Sequence, residues 1–396
     1  MDTSDPIVIA GAARTAIGGF LGDFKDLAAH RLGAAAIHAA VRRAAIPPDS
    51  VEEVLMGCVL PAGQGQAPAR QASLGAGLPP STSAVTINKM CGSGMKAVML
   101  GHDMLLAGST RIVVAGGMES MSNAPYLLDR ARTGYRMGHG QLLDHMFLDG
   151  LEDAYDKGRL MGTFAEDCAQ AYSFSREEQD EYALSSLARA RQAIAEGHFA
   201  AEIIPVTAKA DKQEREIHND ELPLKATPDR IPRLKPAFRE NGTVTAANSS
   251  SISDGAAALV LMRRSEAEHR ALHPLAVIAG HATFAHKPAL FPTAPIGAVR
   301  TLVERTGWSL DQVDLFEINE AFAVVAMAAM RDLAIPRDKL NINGGACALG
   351  HPIGASGARI LVTLLAALQR LGLKRGIAAL CIGGGEATAM AIERLA

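Results

Sequence analysis

Two of the five cysteines in this 396-residue chain stand beside glycine-rich turns. Cys91 lies in Asn88-Lys89-Met90-Cys91-Gly92-Ser93-Gly94, and Cys381 in Leu380-Cys381-Ile382-Gly383-Gly384-Gly385. Between them in sequence runs Gly350-His351-Pro352-Ile353-Gly354. Glycines let backbone approach a ligand closely and leave N–H groups to face an oxyanion. One thiol can carry an acyl group, while a second thiol and an imidazole move protons. Two thiols and one imidazole therefore suit carbon–carbon bond chemistry on thioesters.

These residues need rigid elements behind them. Ile7 to Ala10, Val51 to Val59 and Ile112 to Ala115 read as buried strands; Leu27 to Ala45 and Gly92 to Ala107 read as helices. The alternation predicts a layered α/β fold with a mostly parallel, buried sheet. The C-terminal part repeats the plan: strand Val313 to Ile318, helix Glu320 to Leu333, a glycine loop, a helix including Arg359 to Leu371, and strand Ile377 to Cys381. Both final strands run into glycines and an acid, Gly116-Gly117-Met118-Glu119 and Gly383-Gly384-Gly385-Glu386, which points to internal duplication. Residues 120 to 248 differ in composition. One helix is marked there by Ser175 at the N-cap, Glu178 at the capping-box position and Gly197 as a stop. Lys209 to Arg239 carries four prolines and mixed charge and reads as exposed loop.

Bulk properties narrow the function. A net charge of -3 and few aromatic residues speak against nucleic acid as a partner. No CxxC pair or Cys/His cluster has zinc spacing, so no metal is expected. An odd cysteine count without a disulfide pattern suits a reduced cytoplasm. The acidic start Met1 to Asp5 does not read as a signal or transit peptide, the end Glu393 to Ala396 is not a peroxisomal address, and no run reads as a membrane span.

Taken in order, several blocks resemble the thiolase family, in particular its acetyl-CoA acetyltransferases. They are Val59 to Gln71, Asn88 to Met95, Ala115 to Met121, Gly242 to Ala246, Asp254 to Ala257, Asn319-Glu320-Ala321-Phe322, Asn343 to Gly345 with Gly350 to Gly357, and Cys381 to Gly385. The resemblance spans nearly the whole chain. It implies a thiolase-like αβαβα layered fold from two duplicated halves with an inserted loop domain. The N-terminal half would comprise 1–120 with 249–272, the insertion 121–248 and the C-terminal half 273–396. It also implies coenzyme A thioester substrates, no prosthetic group and a homotetramer or dimer, the tetramer favoured because Pro125 to Leu151 resembles the family's tetramerisation loop.

By the same resemblance Cys91 is the nucleophile, and its place at a helix start predicts a lowered thiol pKa. Cys381 is the acid/base that moves the α-proton. His351 activates Cys91 and donates to the thioester oxygen, while Asn319 positions a water in that oxyanion site. The N–H groups of Cys91 and Gly383 form a second oxyanion site. Ser250, Leu234, Phe322 and Met161 are the expected pantetheine and acyl contacts. The expected phosphate-binding Arg-His-Gly is replaced by Pro223-Leu224-Lys225, which shifts phosphate contacts to Lys225, Arg230 or Arg233. Leu160 and Phe291 replace the polar and smaller residues usual in short-chain enzymes, leaving acyl length open between acetoacetyl-CoA chemistry and a degradative 3-ketoacyl-CoA thiolase. Cys381 speaks against a decarboxylating condensing enzyme, and the full set of four residues against a catalytically silent binding protein.

Overall fold

The computed structural model describes residues 5–210 and 213–395. The acidic stretch at Met1 to Ser4, Asp211 and Lys212, and Ala396 lie outside the described residues. The first half runs β1 (Ile7–Thr15), α1 (Ala29–Arg43), β2 (Glu53–Gly57), α2 (Pro68–Gly75), β3 (Ser83–Ile87), α3 (Ser93–Ala107) and β4 (Ile112–Ser120). Helices α4 (Met161–Tyr172) and α5 (Arg176–Ala195) follow, and then β5 (Ser253–Arg263). The chain ends with β6 (Ala276–Ala285), α6 (Ala294–Thr306), β7 (Leu315–Ile318), α7 (Ala323–Leu333), α8 (Ser356–Leu371), β8 (Arg375–Ile382) and β9 (Glu386–Arg394).

These strands hydrogen-bond in the order β7-β8-β9-β6-β1-β5-β4-β2-β3. The sheet is mixed, which corrects the expectation of a mostly parallel one. Pairs β2/β3, β2/β4 and β7/β8 are parallel, but β4, β5, β1, β6, β9 and β8 run antiparallel to one another in turn. The physical reason lies in two connections. A glycine turn joins β8 directly to β9, and a tight turn can only make an antiparallel pair. Strand β5 returns from the long insertion to lie between β1 and β4. Except for β3, which is exposed at the sheet edge, the strands are largely apolar on both faces because both faces are buried. Val8 and Ala10 of β1 join a core under α1, while Ile7 and Ile9 join the core containing α3 and α8.

Helices α3 and α8 pack on each other, α3 against β2, β4 and β5, and α8 against β5, β7 and β8. Helix α1 covers the outer face of β1, β4 and β5, and α6 covers β6, β8 and β9. This gives helix, sheet, helix, sheet, helix layers. Helix α5 begins with the expected capping box: the Ser175 hydroxyl accepts from the Glu178 N–H, and the Glu178 carboxylate accepts from the Ser175 N–H. Gly197 follows with φ +71.

The stretch 209–239 is not a bare loop. It contains a hairpin of Val206–Ala210 with Gln213–Ile217 and two helical turns, Glu221–Lys225 and Pro228–Arg233. Ile217 and Ile231 are buried with the first half's core, and Asp220 is fully buried against Arg14. Burying two isoleucines and an ion pair ties the segment down despite its prolines.

Candidate active site

Cys91 precedes α3 on a strained corner. Met90 has φ +47, a left-handed conformation that costs a non-glycine residue roughly 1–3 kcal/mol. Three local bonds hold it there. The Asn88 side chain accepts from the Met90 N–H at 2.9 Å, and the Ser93 hydroxyl accepts from the Lys89 N–H at 2.8 Å while donating to the Met90 carbonyl at 2.6 Å. An ion pair between Lys89 and Glu386 ties the corner to the start of β9.

His351 sits on the loop before α8, and that loop lies against backbone of the first half. Its Gly354 carbonyl lies where a Cβ on Gly117 would be, 2.0 Å away, and within 3.0 Å of Cβ positions on Gly57 and Gly94. Only glycines permit this crossing. Buried Glu119 locks it: its carboxylate accepts from the N–H groups of Gly354 at 2.8 Å, Val59 at 2.9 Å and Leu60 at 3.2 Å. Burial pushes the Glu119 carboxyl up to about 7, against the lowering effect of these donors.

The His351 tautomer follows from its neighbours. Nδ1 lies 2.6 Å from the Ser356 hydroxyl, which also lies 3.0 Å from the Pro352 carbonyl. A carbonyl only accepts, so the single Ser356 hydrogen goes to Pro352 and Nδ1–H donates to Ser356. Nε2 then keeps its lone pair, and it has no hydrogen-bond partner among the described residues. Burial, and next the charge of Arg359, push the imidazole down to about 3, so the ring is neutral.

Asn319 follows β7, its amide nitrogen 3.5 Å from His351 Nδ1. It is buried behind the histidine and does not line the cavity described below. Glu320 anchors this corner by accepting from Tyr182, Ser186, Asn341 and the Cys347 N–H. The helix expected from Glu320 begins only at Ala323, because Asn319 to Phe322 form this anchored corner.

Cys381 stands near the end of β8. The turn that follows has Gly384 at φ +95 and Gly385 at φ +87, values open to glycine alone. This turn brings the Gly383 N–H to the Cys91 sulfur, and that N–H and Cys91's own both favour the thiolate. Burial nevertheless dominates and pushes the Cys91 thiol up to about 11, so the expected lowering is overturned. Burial, together with the facing Cys91, raises Cys381 further still. Both cysteines rest as neutral thiols.

Cys91, His351, Cys381 and Gly383 line one cavity of about 400 Å³ with Met161, Ser250, Phe322, Leu160 and Phe291. Phe291, Phe322 and Phe238 pack edge to face and tilted at 6.0–6.4 Å between centroids, giving the cavity an apolar wall. A neighbouring cavity of about 490 Å³ shares Ala246 and Ser251 with it and is lined by Leu234, Lys225 and Arg230. Lys225 is paired with Glu221; Arg230 and Arg233 are exposed and form no ion pair among the described residues. Apart from Asn319, buried behind the histidine, and Arg233, the expected site residues thus fall into two adjoining cavities, one apolar with thiols and one with cations at its edge.

Two family models match the chain, the thiolase N-terminal domain over residues 7–265 and the thiolase C-terminal domain over residues 272–394. The chain belongs to the thiolase family. This thiolase is 49% identical over 390 residues to an acetyl-CoA acetyltransferase of Rhizobium meliloti, covering 98% of this chain and 99% of that protein. It is 49% identical over 394 residues to a cytosolic acetyl-CoA acetyltransferase of Mus musculus, covering 99% of each. Among solved structures, an acetyl-CoA acetyltransferase of Bacillus anthracis matches with TM-score 0.96 at 41% identity over 99% of both chains. An Ascaris suum thiolase in complex with coenzyme A matches with TM-score 0.93 at 41% identity, over 98% of this chain and 100% of that one.

Sequence reasoning about this thiolase missed Met90, Glu320, Ser356 and the positional role of Glu119. Glu119 carried a signal, since it closes the same glycine ending that Glu386 closes in the second half. Met90 carried none, because a left-handed methionine looks like any other in sequence.

Proposed function

We propose that this thiolase catalyses the reversible Claisen condensation of two acetyl-CoA to acetoacetyl-CoA and coenzyme A. In this reading His351 Nε2 takes the Cys91 proton as the sulfur attacks the thioester carbonyl of the first acetyl-CoA. The tetrahedral oxyanion meets the N–H groups of Cys91 and Gly383, each worth roughly 3–4 kcal/mol in the transition state. Coenzyme A leaves with the proton held by His351, and Cys91 keeps the acetyl group. Cys381 then passes its thiol proton to His351 Nε2, and the thiolate removes an α-proton from the second acetyl-CoA, whose enolate oxygen is met by that Nε2–H and by a water held near Asn319. The enolate carbon attacks the acetyl-cysteine, the C–S bond breaks, and Cys91 takes a proton back. His351 thus holds the Cys381 proton during condensation and returns it to the expelled Cys91 sulfur afterwards.

One observation carries the reading: both thiols, the histidine lone pair and the Gly383 N–H converge on a single apolar cavity. Pantetheine would run past Met161, Phe322 and Ser250 to Leu234, with the phosphates at Lys225, Arg230 or Arg233. The two halves and the insertion would divide at 120, 248 and 272, and no prosthetic group is needed. The hairpin Tyr126–Leu128 with Leu142–Asp144 exposes Tyr126, Leu128 and Leu142, which supports a homotetramer. A cytoplasmic setting suits neutral, unpaired thiols.

Leu160 and Phe291 in the cavity wall support a second reading, a degradative 3-ketoacyl-CoA thiolase. Thiolysis with coenzyme A across 3-ketoacyl chain lengths separates the two. Activity confined to acetoacetyl-CoA is expected; equal or better rates at six carbons and above would move the protein to the degradative class.

A further inference from the structure

Away from the catalytic cavity, two buried histidines and one acid from different halves of the chain meet. His102 lies on α3 and is 3% exposed; His281 lies on β6 and is 8% exposed. Their ring centroids are 5.0 Å apart and the rings stand at 88°. Asp103 reaches both: its Oδ1 lies 2.9 Å from His281 Nε2 and 3.3 Å from His102 Nδ1. One donor atom from each of the three residues falls within 4.8 Å of the other two. The proposed reaction uses none of them. No sequence spacing announces the cluster, because Asp103 and His281 are 178 positions apart.

Backbone irregularity aims His281 at this point. Plain alternation would put Ala276, Ile278 and Ala282 on one face of β6 and His281 on the other. Ala276 and Ile278 do join the core of α3 and α8. A bulge between Ile278 and Gly280, against β9, then shifts the alternation. Ala282 consequently joins the opposite core, with Ala298 and Val299 of α6, and His281 turns towards α3. The two halves of the chain supply an internal comparison. Strand β1 bulges between Ile9 and Gly11 in the same way, so Ala12 is the counterpart of His281. Helices α3 and α8 both open on Ser-Gly, at Ser93 and Ser356, so Leu365 and Ala366 are the counterparts of His102 and Asp103. Ala12 and Leu365 are plain members of an apolar core. The fold therefore does not require polar groups here, and burying two imidazoles carries a desolvation cost that alanine and leucine avoid.

We propose that His102, Asp103 and His281 form a binding site for a divalent transition-metal ion of the zinc class, joining α3 of the first half to β6 of the second. Imidazole and carboxylate ligands sit about 2.0–2.2 Å from zinc, which places tetrahedral ligand atoms roughly 3.4 Å apart. The two distances from Asp103 are already near that spacing, and rotation of the imidazoles closes the third. Two imidazoles favour zinc, nickel, copper or cobalt, whereas magnesium and calcium take oxygen ligands. The Asp103 side chain is half exposed, which gives an ion a path from solvent and leaves room for water as a further ligand. Arg305 donates to the His281 carbonyl at 3.1 Å, and Lys96 lies near enough to act on the same ring. These cations oppose a metal charge, so micromolar affinity is the expectation.

The test is titration of the metal-free, full-length protein with Zn²⁺, after Cys91 has been blocked with iodoacetamide to remove a competing thiol. Calorimetry and thermal melting at fixed protein concentration are the readouts. The wild-type protein should bind zinc with micromolar affinity and melt a few degrees higher in excess zinc, while Mg²⁺ leaves the melting temperature unchanged. Cobalt(II) in place of zinc should give a visible spectrum without a thiolate charge-transfer band, since the ligands are nitrogen and oxygen. Asp103→Asn, His102→Gln and His281→Gln should each weaken zinc binding at least about tenfold and remove the thermal shift. If a glutamine variant does not fold, H102L/H281A, which copies the side chains of the other half, takes its place and should behave alike. A wild-type protein without a zinc-dependent shift overturns the proposal. So does a folded variant of this set that binds zinc as tightly as wild type, which would place the ion elsewhere.

Discussion

The resting state of Cys91 yields a prediction that a titration can decide. Its sulfur opens on the cavity but is enclosed by Met90, Phe147, Ile353 and the second half, and this enclosure raises the thiol from 9.0 to about 11. Two units are about 2.7 kcal/mol against the thiolate, after the two N–H groups that favour it have acted. At pH 7 about one molecule in ten thousand then carries the thiolate, against about one in a hundred for an ordinary cysteine of this reference value. No thiolate–imidazolium pair rests in this site, because His351 is pushed down to about 3 while Cys91 is pushed up.

Inactivation by iodoacetamide reports this directly, because only the thiolate reacts at a useful rate. The pseudo-first-order rate constant should rise about tenfold per pH unit from pH 6.5 to 9.5 with no plateau. Peptide mapping should find the label on Cys91, and acetyl-CoA should protect it. His351→Asn should leave the slope unchanged, since the ring does not hold the thiolate at rest. A rate that levels off near neutrality would mean a stable ion pair, and the argument from burial would be wrong. A thiol that ionises only when a substrate supplies the acceptor is also shielded from stray oxidants.

Two further outcomes follow from the geometry. Cys381→Ala should still take an acetyl group from acetyl-CoA, seen by intact-mass measurement, while condensation and thiolysis fall on the order of 10²–10⁴-fold, the usual worth of a placed proton carrier; near-full condensation would refute the proton role. Glu119→Gln should change how stability depends on pH. The Glu119 carboxyl is raised from 4.5 to about 7 on folding, so its stabilising contribution is complete below pH 4.5 and is lost as pH rises through 7. Relative to wild type, E119Q should gain up to about 3 kcal/mol between pH 4.5 and 8.5 in urea denaturation at fixed protein concentration, and parallel curves would contradict it.

The parts of this site that were legible in sequence are those written in short-range patterns. A Cys-Gly-Ser-Gly before an apolar helical stretch, a strand ending in Cys-Ile-Gly-Gly-Gly and a Gly-His-Pro loop each encode their own turn, and each formed where expected. Strand direction was not legible. The apolar run Ala256 to Met262 looks the same in a parallel or an antiparallel neighbourhood, and its place between β1 and β4 depends on the path of the whole insertion. The sign of the Cys91 shift was misread for a related reason. A helix start is visible locally, whereas the enclosure that outweighs it is made by residues hundreds of positions away, among them Ile353 and Cys381.

The same distinction explains which charged residues escaped attention. Glu119, Glu317, Glu320 and Arg359 sit in apolar or glycine-rich runs that predict burial, and a buried charge demands a partner. The sequence shows the demand without showing how it is met. Three of the four close a corner or ion pair: Glu119 on the Gly354 loop, Glu320 behind Asn319, and Glu317 on Arg359. Each of these contacts joins residues at least 21 positions apart in sequence. The groups facing substrate are thus set by local turns, while the groups that fix their protonation and placement are set by tertiary packing. Substitutions in the first group should abolish chemistry, and substitutions in the second should move pH limbs and stability while leaving the chemistry in place.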